Sequence, residues 1–190
     1  LICACELIRQ QNSSLGEEPI TLGLWVGQNL TPNTFTSNNN NPGALEAHRE
    51  QLQRDRPINP FALMTCPWCG TVIYPLKQDP DHSSYGVEAT ETSFKFFCPD
   101  GNCAFHKILP VNVVDEHFFE HPFDTKNRTQ AGPPTFVVGT IDKLARTAWN
   151  PSSRSFFGFR EKGENFMPPS LVIQDELHLI SGPLGTIAGV

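Results

Sequence analysis

A chain of 190 residues has room for one ordinary domain, or for one domain carrying a small insert. Its formal net charge of −6 argues against strong unaided binding to nucleic acid, which a basic face usually marks, while leaving room for a local basic groove. The 17 prolines and 14 glycines predict long loops, and no apolar run approaches the roughly 18 residues of a membrane-spanning helix.

The first element, LICACELIRQQN (1–12), places apolar residues at 1, 4, 7 and 8, the spacing of one helix face. Asn12, Ser13, Ser14 and Gly16 stop it. ITLGLWVG (20–27) is a short apolar run of strand formers and predicts a buried strand. QNLTPNTFTSNNNNPG (28–43) is polar and Asn-rich, with too little apolar surface to order well. ALEAHREQLQR (44–54) predicts a helix, with Asn41 a candidate cap, Pro42 near the first turn, and Pro57 and Pro60 beyond its end.

Two cysteine pairs follow. Cys66 and Cys69 stand in CPWCG, and Cys98 and Cys103 in CPDGNC. In a cytosolic chain, the compartment expected here, close pairs point to metal ligands before disulfides. A C-x2-C turn aims two thiolates at one ion, and Gly70 frees the backbone after it. Four thiolates are the usual closed structural Zn2+ site, so Cys66, Cys69, Cys98 and Cys103 are the expected zinc ligands. The alternatives are disulfides, free thiols, an iron–sulfur cluster or a redox C-x2-C; His82 and His106 are possible substitute ligands. Cys3 and Cys5 fit small buried apolar roles. VIYPLK (72–77) and SFKFFC (93–98) are the expected ribbon arms, with QDPDHSSYGVEATE as a long tip. Trp68, Phe94, Phe96 and Phe97 would fill the small metal-held core or stack on bases.

KILPVNVVDE (107–116) alternates and can carry the chain back to the main body. HFFEHPFDTKNRTQAGPP (117–134) is an expected linker, PTFVVGT (134–140) a second buried strand and IDKLARTAW (141–149) a helix. SSRSFFGFREKGENFMPP (152–169) is an expected loop whose Phe156, Phe157 and Phe159 offer an adaptable surface; Trp25 and Trp149 are expected in or near the core. LVIQDE (171–176) predicts a third buried strand. Strands separated by helices predict an α/β body with a parallel sheet, interrupted by the zinc segment.

The last strand ends in two adjacent acids, the Walker B pattern. Asp175 can hold a nucleotide-bound Mg2+, and Glu176 can take a proton from the attacking water. Against this stand a plain strand end whose acids face water, and a metal-hydrolase site of Asp175, Glu176 and His178.

DELH after LVIQ resembles motif II of the superfamily 2 helicases, and FVVGTIDKLAR resembles their segment of strand, Thr and helix. GLWVGQNLTPN, a four-Cys insert, GTIDKLAR and QDELHLISGPLGT together resemble the large helicases of DISARM-type phage defence. The resemblance implies a partial RecA-like parallel sheet with an inserted zinc-ribbon subdomain. It divides the chain into 1–60, the start of the RecA-like lobe, 61–116, the zinc insert, and 117–190, the lobe continued. It implies ATP and Mg2+ as cofactors of the parent protein, with His178 coupling the nucleotide site to the nucleic-acid path. Thr140 would touch a phosphate of bound DNA or RNA, with Lys143 and Arg146 extending that contact. Implied partners are the rest of the helicase chain and other defence proteins. No G-x-x-x-x-G-K-[ST] loop occurs, nor the motif and second lobe that normally follow. With Leu1 opening the chain inside a helix and IAGV closing it as an unfinished one, a fragment without ATPase activity of its own is expected. The rival expectation is a non-catalytic zinc module binding nucleic acid or a protein.

Overall fold

In the computed structural model, residues 1–37, 42–91, 93–114, 133–145, 147, 149, 151–159 and 167–175 are described. The opening helix α1 spans Ile2–Gln11 and turns Cys3 and Glu6 inward. A carboxylate in that position needs donors. Glu6 accepts from Arg9 Nε (2.8 Å), Arg9 Nη2 (2.7 Å), Gln10 Nε2 (2.9 Å) and the Ile20 N–H (2.8 Å). Burial pushes its carboxyl up, but these bonds outweigh burial and hold it below the usual range. The last of them ties the helix to the residues entering the first strand.

That strand, β1 (Leu22–Trp25), lies between β4 (Val111–Asn112) and β5 (Phe136–Gly139), parallel to both. Leu22 is level with Val111 on one side and Phe136 on the other. The Thr21 N–H donates to Thr135 Oγ1 and the Thr135 N–H to Thr21 Oγ1, both at 3.2 Å, anchoring the start of the β1–β5 ladder through side chains. The α/β architecture with a parallel sheet expected from the sequence is present, and residues 107–114 return to it as predicted. The four-cysteine segment, treated below, lies between β1 and β4 in sequence, so the whole agrees with a partial RecA-like sheet carrying an insert.

Helix α2 (Ala44–Leu52) buries Ala44, Leu45, Ala47, His48 and Gln51, one stripe at helical spacing. Its cap is Gly43, not a side chain, and Asn41 lies outside the described residues. The preceding loop satisfies the first donors instead: the Ala44 N–H donates to Thr34 O (2.9 Å) and the Leu45 N–H to Phe35 O (3.1 Å). The expectation of poor order over 28–43 is therefore corrected for its described part, where Thr31 and Phe35 are buried. One aromatic anchor and the helix donors suffice to hold a polar segment.

The ribbon differs from the predicted one. Its hairpin pairs β2 (Val87–Ala89) antiparallel with β3 (Phe94–Phe96), braced by Lys95 Nζ on Glu88 Oε2 at 2.9 Å. VIYPLK is not a strand; Val72 makes a single bridge to Thr65 while Ile73 and Tyr74 point into the core. Pro75 has no donor for a ladder, and Asp79 folds the next residues into a turn by accepting from the N–H groups of Asp81 and Ser84 and from Ser83 Oγ. The second arm comes from residues expected in the tip.

Phe61, Tyr74, Tyr85, Phe94 and Phe96 make the centre of the core, with edge-on rings such as Phe61 and Phe96 at 5.3 Å. Cys3 of α1, Ala44 and Leu45 of α2, and Val111 of β4 belong to the same cluster. On the other side of the sheet Trp25 packs with Val137, Leu144 and Phe156.

The C-terminal half departs most from expectation. Of the predicted helix over 141–149, α3 takes in Ile141–Ala145 among the described residues, and Trp149 is exposed. Pro151–Phe157 forms a 3-10 helix where a loop was expected. The predicted buried strand at 171–176 is, in its described part, irregular and open to solvent, with Leu171, Val172 and Ile173 all 70% exposed or more. A strand exists only through its neighbour's hydrogen bonds, and Pro168 and Pro169 supply no donors at its entry.

Candidate metal centre

Each cysteine pair is shaped by backbone hydrogen bonds. In the first turn the Cys66 N–H donates to Thr71 O (2.7 Å) and the Gly70 N–H to Cys66 O (2.9 Å). Gly70 has φ of 82°, the left-handed conformation that only glycine adopts cheaply. In the second, the Cys98 N–H donates to Phe105 O (2.9 Å) and the Cys103 N–H to Asp100 O (3.0 Å), while Asp100 Oδ1 accepts from the Asn102 N–H (2.9 Å). β3 leads directly into this turn, and the Thr65–Val72 bridge closes the other.

The two turns face one another. Cys66, Cys69, Cys98 and Cys103 place their sulfurs within 4.8 Å of each other, with Cys66 to Cys103 at 3.9 Å and Cys69 to Cys98 at 3.4 Å. All six cysteines are unbridged. Metal–sulfur bonds of about 2.3 Å in a tetrahedron set the sulfurs about 3.8 Å apart, so the donor set fits one tetrahedral, thiolate-seeking ion such as Zn2+. Cys66, Cys98 and Cys103 are buried and Cys69 is exposed. Hydrogen bonding to Thr71, whose hydroxyl is 3.2 Å from Cys69 Sγ, pulls the Cys69 thiol down to about 6. Burial pushes the Cys98 and Cys103 thiols up. Without a cation, Cys98 and Cys103 therefore hold their protons, and a bound cation would take those protons' place.

His82 and His106 are not donors here. Among the described residues the cluster comprises the four cysteines alone. His106 Nδ1 lies 2.9 Å from Cys103 O, and His82 packs edge-on against Tyr85. Phe94 and Phe96 are core, while Trp68 leans on Phe105 with half its surface exposed. Cys3 sits beneath the site; burial and then the nearby Cys66 thiol push it up to about 11. Sequence reasoning missed Thr71, although its place directly after CPWCG is a usable signal. It also missed the buried pair His48 and Tyr74, whose partners lie far apart in the chain and leave no local trace.

The residues expected at the nucleotide and nucleic-acid edge are less gathered. The Thr140 N–H donates to Trp25 O (3.1 Å), and Thr140 O accepts from the Lys143 and Leu144 N–H groups, so this exposed residue joins the end of the sheet to α3. Lys143 is buried. Asp175 is exposed on the irregular 171–175 segment. Arg146, Glu176 and His178 lie outside the described residues.

No protein-family model matches the chain. It is 31% identical to the DISARM protein DrmA of Bacillus paralicheniformis (strain ATCC 9945a / NCIMB 11709 / CD-2) over 222 aligned positions. That alignment takes in 100% of this chain and 18% of the relative. The chain is thus similar along its whole length to one part of that protein, and spans less than a fifth of the relative it matches. No helix among the described residues is long and apolar enough to cross a membrane.

Proposed function

We propose that this chain is a segment of the first lobe of an ATP-dependent nucleic-acid helicase or translocase acting in phage defence, stiffened by a structural Zn2+ at Cys66, Cys69, Cys98 and Cys103. The observation that carries this reading is the similarity of the whole chain to part of a DISARM protein, joined to a parallel sheet that the cysteine ribbon interrupts. In this reading residues 1–60 and 117–190 form the lobe and 61–116 the insert. Asp175 holds the Mg2+ of bound ATP in the parent protein, Glu176 accepts the proton of the attacking water, and His178 links that site to the nucleic-acid path. Thr140, with Arg146, faces a phosphate of DNA or RNA, while Lys143 is buried one turn behind it. The exposed position of Thr140 at a sheet terminus supports its role. The roles of Asp175, Glu176 and His178 rest on the DELH pattern.

The test uses the full-length parent protein and its Glu176→Gln variant. The parent hydrolyses ATP faster with DNA or RNA present. The variant binds ATP and loses turnover by at least about a hundredfold, in keeping with the loss of a general base. The 190-residue chain alone shows no ATPase above background. Equal turnover in parent and variant refutes the assignment of Glu176.

A second reading, a non-catalytic zinc module, is favoured by one observation: Trp68 is half exposed to solvent at the metal turn. Fluorescence titration of the chain with single- and double-stranded DNA at two salt concentrations tests it. Quenching that is lost in Trp68→Ala supports base stacking there.

A further inference from the structure

The four sulfurs are alike in distance but not in access. Cys66 and Cys98 are each 1% exposed and Cys103 4%, whereas Cys69 opens to solvent at the tip of its turn. Its sulfur also lies 3.4 Å from that of Cys98, closer than the 3.9 Å between Cys66 and Cys103. An accessible thiol beside a buried one is the arrangement in which an attacking sulfur and a resolving sulfur form a disulfide.

We propose that Cys69 is an oxidation site for hydroperoxides, with Cys98 as its resolving partner, and that forming the Cys69–Cys98 disulfide dismantles the metal centre. This rests on the zinc reading above. The chemistry balances with peroxide as the sole oxidant. The Cys69 thiolate attacks one peroxide oxygen, the O–O bond breaks, and the departing hydroxide takes a proton from solvent and leaves as water; Cys69 becomes a sulfenic acid. The Cys98 thiolate then attacks the Cys69 sulfur, the S–O bond breaks, and the second hydroxide takes a proton from solvent and leaves as water. Two thiolates lose two electrons in all, and one peroxide with two solvent protons becomes two waters.

The second step needs little motion, because the two sulfurs are already nearly in contact and the turns holding them are fixed by their own hydrogen bonds. Its product takes two of the four donors away. Cys66 and Cys103, 3.9 Å apart, are then too few to hold a tetrahedral ion tightly. Cys3 is buried and outside the cluster, so it stays reduced while Cys69 reacts.

The experiment takes the purified chain, first measured for metal content, and adds hydrogen peroxide in equimolar steps. Metal release is followed with a chromogenic chelator, and disulfides are mapped by mass spectrometry of peptides after blocking free thiols. About one metal ion per chain before treatment supports the zinc reading, and its absence refutes that reading separately. On oxidation, release is expected to track a single Cys69–Cys98 disulfide, reversed by dithiothreitol with fresh Zn2+. A Thr71→Val variant keeps all four ligands and releases metal through the same disulfide at an altered rate. Metal retained at several equivalents of peroxide overturns the proposal, as does a first disulfide that includes Cys3 or joins Cys66 to Cys103.

Discussion

His48 is 5% exposed, and its Nδ1 lies 2.5 Å from Tyr74 Oη. The rings of Tyr74 and Tyr85 stand edge-on to it. Burial, helped by the neighbouring His82, lowers its imidazole to about 4. Burial raises the Tyr74 phenol, which keeps its proton and can donate it to a neutral ring. The unfolded chain takes a proton on His48 near pH 6.5, while the folded chain refuses it until about pH 4. Stability from this residue is complete above about pH 6.5 and declines as pH falls towards about 4, by about 3 kcal/mol in all. Urea unfolding at pH 7 and pH 5 checks this against His48→Gln, which keeps an acceptor for Tyr74 and cannot titrate. The parent chain is expected to lose about 1–2 kcal/mol more than the variant between those two pH values. Equal losses refute the assignment.

At the scale of elements, Gly43 shows how a loop and a helix are fitted together. A methyl group there would lie 2.3 Å from Thr36 C and 2.5 Å from Phe35 O, both backbone atoms. Replacing glycine by alanine often stabilises a chain through its unfolded state, yet here the clash dominates. Gly43→Ala is expected to lower stability by about 1–3 kcal/mol in thermal or urea unfolding, whereas Gly27→Ala, with nothing within 4 Å, stays within about 0.5 kcal/mol. A neutral Gly43→Ala variant would mean that the 34–37 loop moves aside freely. The same fit explains what the sequence could reveal. Local patterns, helical spacing for α1 and runs of strand formers for β1 and β5, located these elements, as cysteine spacing located the metal turns; the expected burial of β5 is corrected, since Phe136 and Val138 stand half exposed. The choice of Val87–Ala89 over Val72–Lys77 as the ribbon's second arm depends on which segment reaches β3, and spacing is silent on that. Residues 171–173 carry the composition of a buried strand, but composition cannot supply the neighbouring ladder that makes one. Thr140 was legible as the join of strand and helix in FVVGTIDKLAR; the burial of Lys143 one turn later was not, because a lysine on a short helix usually faces water.

At the scale of the molecule, the ribbon and the sheet share both a core and a line of hydrogen bonds. The Leu109 N–H donates to Phe96 O (2.7 Å), two residues before Cys98. The Leu22 N–H donates to Pro110 O (2.9 Å), and β1 then carries β5 on its far side. Cys3 joins α1 to the same cluster that holds Cys66, Cys98 and Cys103. Where packing is continuous, local opening spreads to neighbouring elements. With a metal held by the four cysteines as proposed, its removal is expected to loosen β1 and β4 as well as the cysteine turns. Hydrogen exchange with and without chelator reads this directly. The Cys66, Gly70, Cys98 and Cys103 amides lose protection first. The Leu109 and Leu22 amides are expected to follow by at least about tenfold, about 1.4 kcal/mol of opening free energy. The Thr140 amide, held by Trp25 O on the side of the sheet where Trp25 packs with Phe156, should change less. If the turns exchange freely while Leu22 keeps its protection, the ribbon is energetically separate, and its metal does not govern the edge at which Thr140 stands.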